Sequence, residues 1–182
     1  MDNGNVVIRD AAASDAEFVA WTILTAMGME ESLVGQMFEI SRQDDTLYSW
    51  RRARIAEVDG VVAGCLISYP GEEYLQLRDR TWRMFRPFEN DELAGFDLET
   101  FPGEYYLDSL AVRPEFRGRE IGRKLLMDGV AKGESMGYDH VTLIAESDHP
   151  RLLEYYGKAG FREFGELDFF GNDYKRMRFA HQ

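Results

Sequence analysis

The chain has 182 residues, 45% hydrophobic and 30% charged, with 33 acidic against 21 basic side chains and a net charge of −12. That length and composition suit a full apolar core and exclude a disordered polymer. The acidity argues against nonspecific binding to nucleic acid or an anionic membrane and favours a small cationic substrate.

The single cysteine, Cys65, cannot form an internal disulfide. With no cationic leader and no run of about 18 apolar residues, the expectation is a cytoplasmic protein without a membrane partner. In chain order, NVVIRD (5–10) reads as a short strand. A helix follows, with Ser14 as N-cap, Glu17 as its capping-box partner, and an inward stripe of Phe18, Trp21, Leu24 or Thr25, and Gly28. A second amphipathic helix over 30–42 turns Leu33, Val34, Met37 and Ile40 or Phe38 inward. The clearest hairpin is 53–70, two β-rich runs around Asp59-Gly60.

Residues 71–103 are long for a connection and hold a helix near 73–86 and the acids Glu89, Asp91, Glu92, Asp97 and Glu99. Its RDRTWRMFR run mixes bases with aromatics, which suits nucleic acid in principle, but the overall charge weighs against that partner. Trp82, Phe85 and Phe88 either wall an acceptor pocket or pin the segment to the core. A strand over 104–112, a helix over 120–137 ending at Gly137 and a buried strand over 140–145 make a strand–helix–strand unit, which requires a parallel pair. A helix follows from SDHP to Gly160, then two closing strands turning at Gly171-Asn172. The fold class is α/β, a mixed sheet flanked by helices with an insert between the third and fourth strands.

Arg113, Arg117, Arg119, Arg123 and Lys124 fall within twelve positions of an acidic chain, around Gly118 and Gly122 at a helix start. Free amide groups and the helix dipole there favour an anion, and small residues let it approach the backbone. The spacing is that of neither a Walker A loop nor a dinucleotide fingerprint.

LAVRPEFRGREIGRKLL resembles the signature of the GNAT superfamily of acyl-CoA-dependent N-acetyltransferases, in which Arg or Gln, two residues, Gly, one residue and Gly or Ala follow one another. Arg117 opens the pattern, Gly122 closes it, and Glu120 stands where the family usually has glycine. LLEYYGKAGF is similar to the family's terminal helix, with Tyr156 and Gly160-Phe161 on the matching positions. The resemblance implies one N-acetyltransferase domain over 1–182, with 71–103 as a substrate-side insert, and acetyl-CoA as cosubstrate. The pantetheine arm would lie between strands 104–112 and 140–145, against Leu110, Ala111 and Val112, with Leu110 N–H a candidate oxyanion donor. The amides of Arg117, Gly118, Arg119, Glu120, Ile121, Gly122 and Arg123 would hold the pyrophosphate.

Transfer to a primary amine by direct attack needs a base, a polarised carbonyl and a proton for the thiolate, but no covalent enzyme intermediate. Tyr156 is the candidate acid. Asp108 is the candidate base or relay, placed by strand alternation on one face with Tyr106, Leu110 and Val112; Glu104 and Tyr106 are second choices. A non-catalytic acyl-CoA-binding or sensory module is the alternative. His140, His149 and His181 lack ligand spacing, so no metal is expected, and His149 suits a cap. The family's habit is a homodimer.

Overall fold

The computed structural model describes residues 5–88 and 96–181. Seven strands, β1 (Val6–Asp10), β2 (Ala53–Val58), β3 (Val61–Pro70), β4 (Glu104–Val112), β5 (His140–Glu146), β6 (Phe161–Phe169) and β7 (Asn172–Phe179), form one mixed sheet in the order β1-β2-β3-β4-β5-β7-β6. Neighbours are antiparallel except β4 and β5, the pair that the intervening helix requires to be parallel. Among the described residues five α-helices flank the sheet: α1 (Ala16–Ala26), α2 (Val34–Ser41), α3 (Tyr74–Met84), α4 (Ile121–Ser135) and α5 (Pro150–Lys158). None of the described helices is long and apolar enough to cross a membrane.

The sheet separates two cores. One holds Val19, Ile23, Met37 and Ile40 of α1 and α2 against Ile55, Ile67, Tyr69 and Tyr106, with Tyr74 and Trp82 of α3. The other holds Ile121, Leu125, Leu126 and Val130 of α4 against Leu66, Leu107, Val141 and Phe161. Cys65 is fully buried, and burial pushes its thiol up to about 12, so it acts as a small core residue.

The local expectations differ from the structure at three places. Asp15, not Ser14, precedes α1; its carboxylate accepts Ala12 N–H at 2.7 Å and is held by Arg9. The inward face of α1 is Val19, Ala20, Ile23 and Leu24, the last as expected, while Phe18 and Trp21 stack on each other at its margin, 5.0 Å apart. The last turn is Phe170-Gly171, with Phe169 opposite Asn172 and both turn residues at positive φ (52° and 72°). The α5 helix has Pro150 at its first position and His149 as N-cap, without a side-chain cap bond.

Segment 71–103 is anchored at both ends. A Cβ on Gly71 would lie 2.0 Å from Phe101 O, so the two backbones meet at a spot only glycine fits. Glu104, 12% exposed, accepts both carboxylate bonds from Arg176 at 2.7 Å and further bonds from Thr100, Phe101 N–H and Thr142. Those bonds make Glu104 structural. Trp82, Phe85 and Phe88 are buried, so they pin the segment to the core.

Candidate active site

The parallel pair lasts for three residues. Glu104, Tyr105 and Tyr106 face His140, Val141 and Thr142; beyond them β4 stays with β3 while β5 stays with β7. Arg113 N–H donates to Ala63 O at 2.8 Å, which fixes the alternation between β3 and β4. Ala111 and Ser109 therefore turn their backbone polar groups to β3, and Leu110 and Val112 turn theirs into the gap. Of the three residues expected against the pantetheine arm, Ala111 is thus occupied by its pairing with Cys65. Val112 O accepts Arg117 Nε at 3.1 Å.

β4 carries a bulge. Ile67 faces Ser109 and Ser68 faces Leu107, which leaves Asp108 as the extra residue. The bulge resets the alternation. Tyr106 belongs to the core under α1 and α3, whereas Leu110 and Val112 pack on the α4 side. The expectation of one face shared by Tyr106, Asp108, Leu110 and Val112 fails for this reason.

Asp108 turns toward the α1–α3 side, where Tyr69 Oη donates to Oδ2 and Ser109 Oγ donates to Oδ1 at 2.6 Å. Glu99 lies near it, accepting from Tyr74 Oη at 2.8 Å and Tyr106 Oη at 3.1 Å. Burial, and then the charge of Asp108, pushes Glu99 up to about 8. Burial also raises Asp108, against the pull of its two hydrogen bonds. Each carboxyl therefore holds its proton to higher pH than a free one, the direction that strengthens a general base. The sequence marked Glu99 only as one acid of the insert; Glu89, Asp91 and Glu92 lie outside the described residues. Tyr106, a second choice for base, serves as a donor to Glu99. Two surface depressions, of 390 Å³ beside Ser147 and Asp173 and of 630 Å³ beside Arg80 and Arg83, lie away from this pair.

At the other end of the gap, no described backbone acceptor takes the amides of residues 118–123; the helical bonds begin with Lys124 N–H to Glu120 O. Gly118 (φ 78°) and Glu120 (φ 59°) are both left-handed, turning the chain into a concave run of amides. Glu120 occupies a conformation that suits glycine, at about 1 kcal/mol of strain. Its exposed carboxylate points outward, 3.8 Å from Arg123. Arg113 lies over Phe18 and Arg119 over Phe116, at 4.9 and 5.5 Å. Among the described residues, Arg123 alone of the five bases has an ion-pair partner.

The two tyrosines of α5 part. Tyr155 lies over the cradle, its Oη 2.7 Å from where a Cβ on Gly122 would stand. Tyr156 packs edge-on against Phe161, and burial pushes its phenol up to about 12. The phenol is therefore protonated at neutral pH and has a proton to give.

A mixed seven-stranded sheet whose parallel pair parts above a basic helix start is the architecture of an acyltransferase fold. The pattern of the Acetyltransferase (GNAT) family matches residues 20–161, and the chain belongs to that family of acyltransferases. An acetyltransferase crystal structure is 25% identical, with a TM-score of 0.77 over 97% of this chain and 100% of that one. An N-acetyltransferase from Staphylococcus aureus Mu50 is 22% identical, with a TM-score of 0.75 over 94% and 99%. The PaiA N-acetyltransferase from Thermoplasma acidophilum, solved with coenzyme A, has the same fold at 14% identity, with a TM-score of 0.59 over 97% and 99%. No curated protein shows significant sequence similarity.

Proposed function

We propose that the protein moves the acetyl group of acetyl-CoA to the primary amine of a small molecule, by direct attack in a ternary complex. The observation that carries this reading is the carboxylate pair set at the point where β4 and β5 part. The cradle amides would take the pyrophosphate, and the gap-facing groups of Leu110 and Val112 would take the pantetheine arm. The Asp108–Glu99 pair accepts the ammonium proton. The freed nitrogen forms a bond to the thioester carbon, whose oxygen is polarised by Leu110 N–H. The carbon–sulfur bond then breaks, Tyr156 protonates the leaving thiolate, and the surplus proton on the new amide nitrogen returns through solvent to the Tyr156 phenolate.

Thiol release from acetyl-CoA over a panel of amines tests the reading; coenzyme binding with no release for any amine would identify a binding module instead. Tyr156→Phe should lower kcat by about ten- to a hundredfold with little change in the KM for acetyl-CoA, while Tyr155→Phe should not lower kcat. An undiminished kcat in Tyr156→Phe removes it from the acid role. Glu120→Gly should raise stability by about 1 kcal/mol in thermal melting, by removing left-handed strain. It should also lower the KM for acetyl-CoA, because a carboxylate beside the pyrophosphate is gone. A raised KM would show that Glu120 aids binding.

A further inference from the structure

Arg78 has no task in the transfer chemistry. It lies on the inner face of α3 and is 6% exposed, its guanidinium between the rings of Tyr74 and Trp82 at 5.7 and 5.3 Å. Nε and Nη2 share one oxygen of Asp79, at 3.2 Å each, on the solvent side of the helix. Nη1 is buried and has no hydrogen-bond partner among the described residues. The Trp82 indole N–H is also buried, facing Tyr48 without reaching hydrogen-bond geometry.

A buried guanidinium with an unpartnered donor costs stability unless an anion completes it. Glu99 is near enough to feel that charge, yet its oxygens are taken by Tyr74 and Tyr106. Asp79 already pairs with Nε and Nη2, so Nη1 is the guanidinium donor left over for an anion. A zwitterion supplies an ammonium for the two carboxyls and a carboxylate for Nη1, whereas a diamine leaves Nη1 unpaired.

We infer that the acceptor carries a carboxylate as well as its amine: the ammonium is received by Asp108 and Glu99, and the carboxylate by Arg78 Nη1. This rests on the amine-transfer reading and narrows it to amino-acid-like acceptors. A planar guanidinium suits a carboxylate, and a charged hydrogen bond of this kind is worth about ten- to a hundredfold in affinity.

The test measures thiol release from acetyl-CoA with matched pairs: lysine and cadaverine, phenylalanine and phenethylamine, leucine and isopentylamine. In every pair the protein uses, the carboxylate-bearing member should have the higher kcat/KM, by at least about tenfold. Arg78→Gln should lose that preference through a raised KM for the acid, and Arg78→Lys should recover part of it. If either variant fails to fold, the wild-type pairs decide alone. Equal use of both members, or a preference for the decarboxylated one, overturns the inference and leaves amine transfer standing. Release from no member overturns both.

Discussion

Asp108→Asn is expected to lower turnover by about 10²- to 10⁴-fold and to move the acidic limb of the pH–rate profile to lower pH. The direction follows from the pair. The charge of Asp108, together with burial, holds Glu99 up near 8. Without that charge Glu99 loses its proton earlier, and a weaker base remains. Tyr69, Tyr74, Tyr106, Tyr48 and Arg78 surround the two carboxyls, and the phenols keep their protons because burial raises them. Glu99→Gln should cost activity as well, and it should also change how stability depends on pH. The folded Glu99 retains its proton to higher pH than the unfolded one, whose ordinary value is 4.5. Between those values the folded state binds more protons, so stability falls as pH rises from about 5 to 8. Glutamine removes that loss. The variant should therefore melt higher than the wild type at pH 8 and close to it at pH 5. An unshifted rate profile in Asp108→Asn would leave the carboxylate structural.

Gly71→Ala should be the most damaging small substitution outside the reacting groups. The added methyl would stand 2.0 Å from Phe101 O and 2.7 Å from its carbonyl carbon, and a backbone cannot step aside as a side-chain tip can. Overpacking of this kind costs about 3 kcal/mol, which lowers the melting temperature by roughly 6–12 °C in a chain of this size. Activity should fall too, because Phe101 closes the stretch that begins at Phe96 and carries Glu99. Neighbouring bonds from Gly103 N–H to Glu72 at 2.8 Å and from Thr100 to Glu104 at 3.0 Å fasten the same corner. A melting temperature within about 2 °C of wild type, less than 1 kcal/mol, would show that this corner yields.

The strand from Glu104 to Val112, the turn after it and α4 were legible because each is written in local chemistry. The strand has β-rich residues, the turn has Arg113-Pro114 and Gly118, and the helix has a clean apolar stripe ending before Gly137. The bulge at Asp108 was not legible. EYYLDSLAV alternates without a break, and the extra residue is counted only against β3. Glu99 was equally hidden, since 96–103 has no periodic pattern and only tertiary contacts from Tyr74 and Tyr106 bring it to Asp108. Glu120 was legible as a departure from the family's glycine, but its meaning came from a backbone angle. Phe170 entered a left-handed turn that Gly171-Asn172 had suggested one residue later, because the register of Phe169 with Asn172 set the corner.

The parting of β4 from β5 makes a slot through the sheet, and a slot has two mouths. Asp108, Glu99 and Arg78 stand at one, with α3; the cradle and Tyr156 stand at the other, with α4 and α5. On the proposed reading, the amine and the coenzyme arrive from opposite faces. Neither has to leave for the other to enter, and each product departs through the mouth its parent used. Everywhere else the sheet is a wall between two cores. Here the pairing stops, and on the proposed reading the two faces meet.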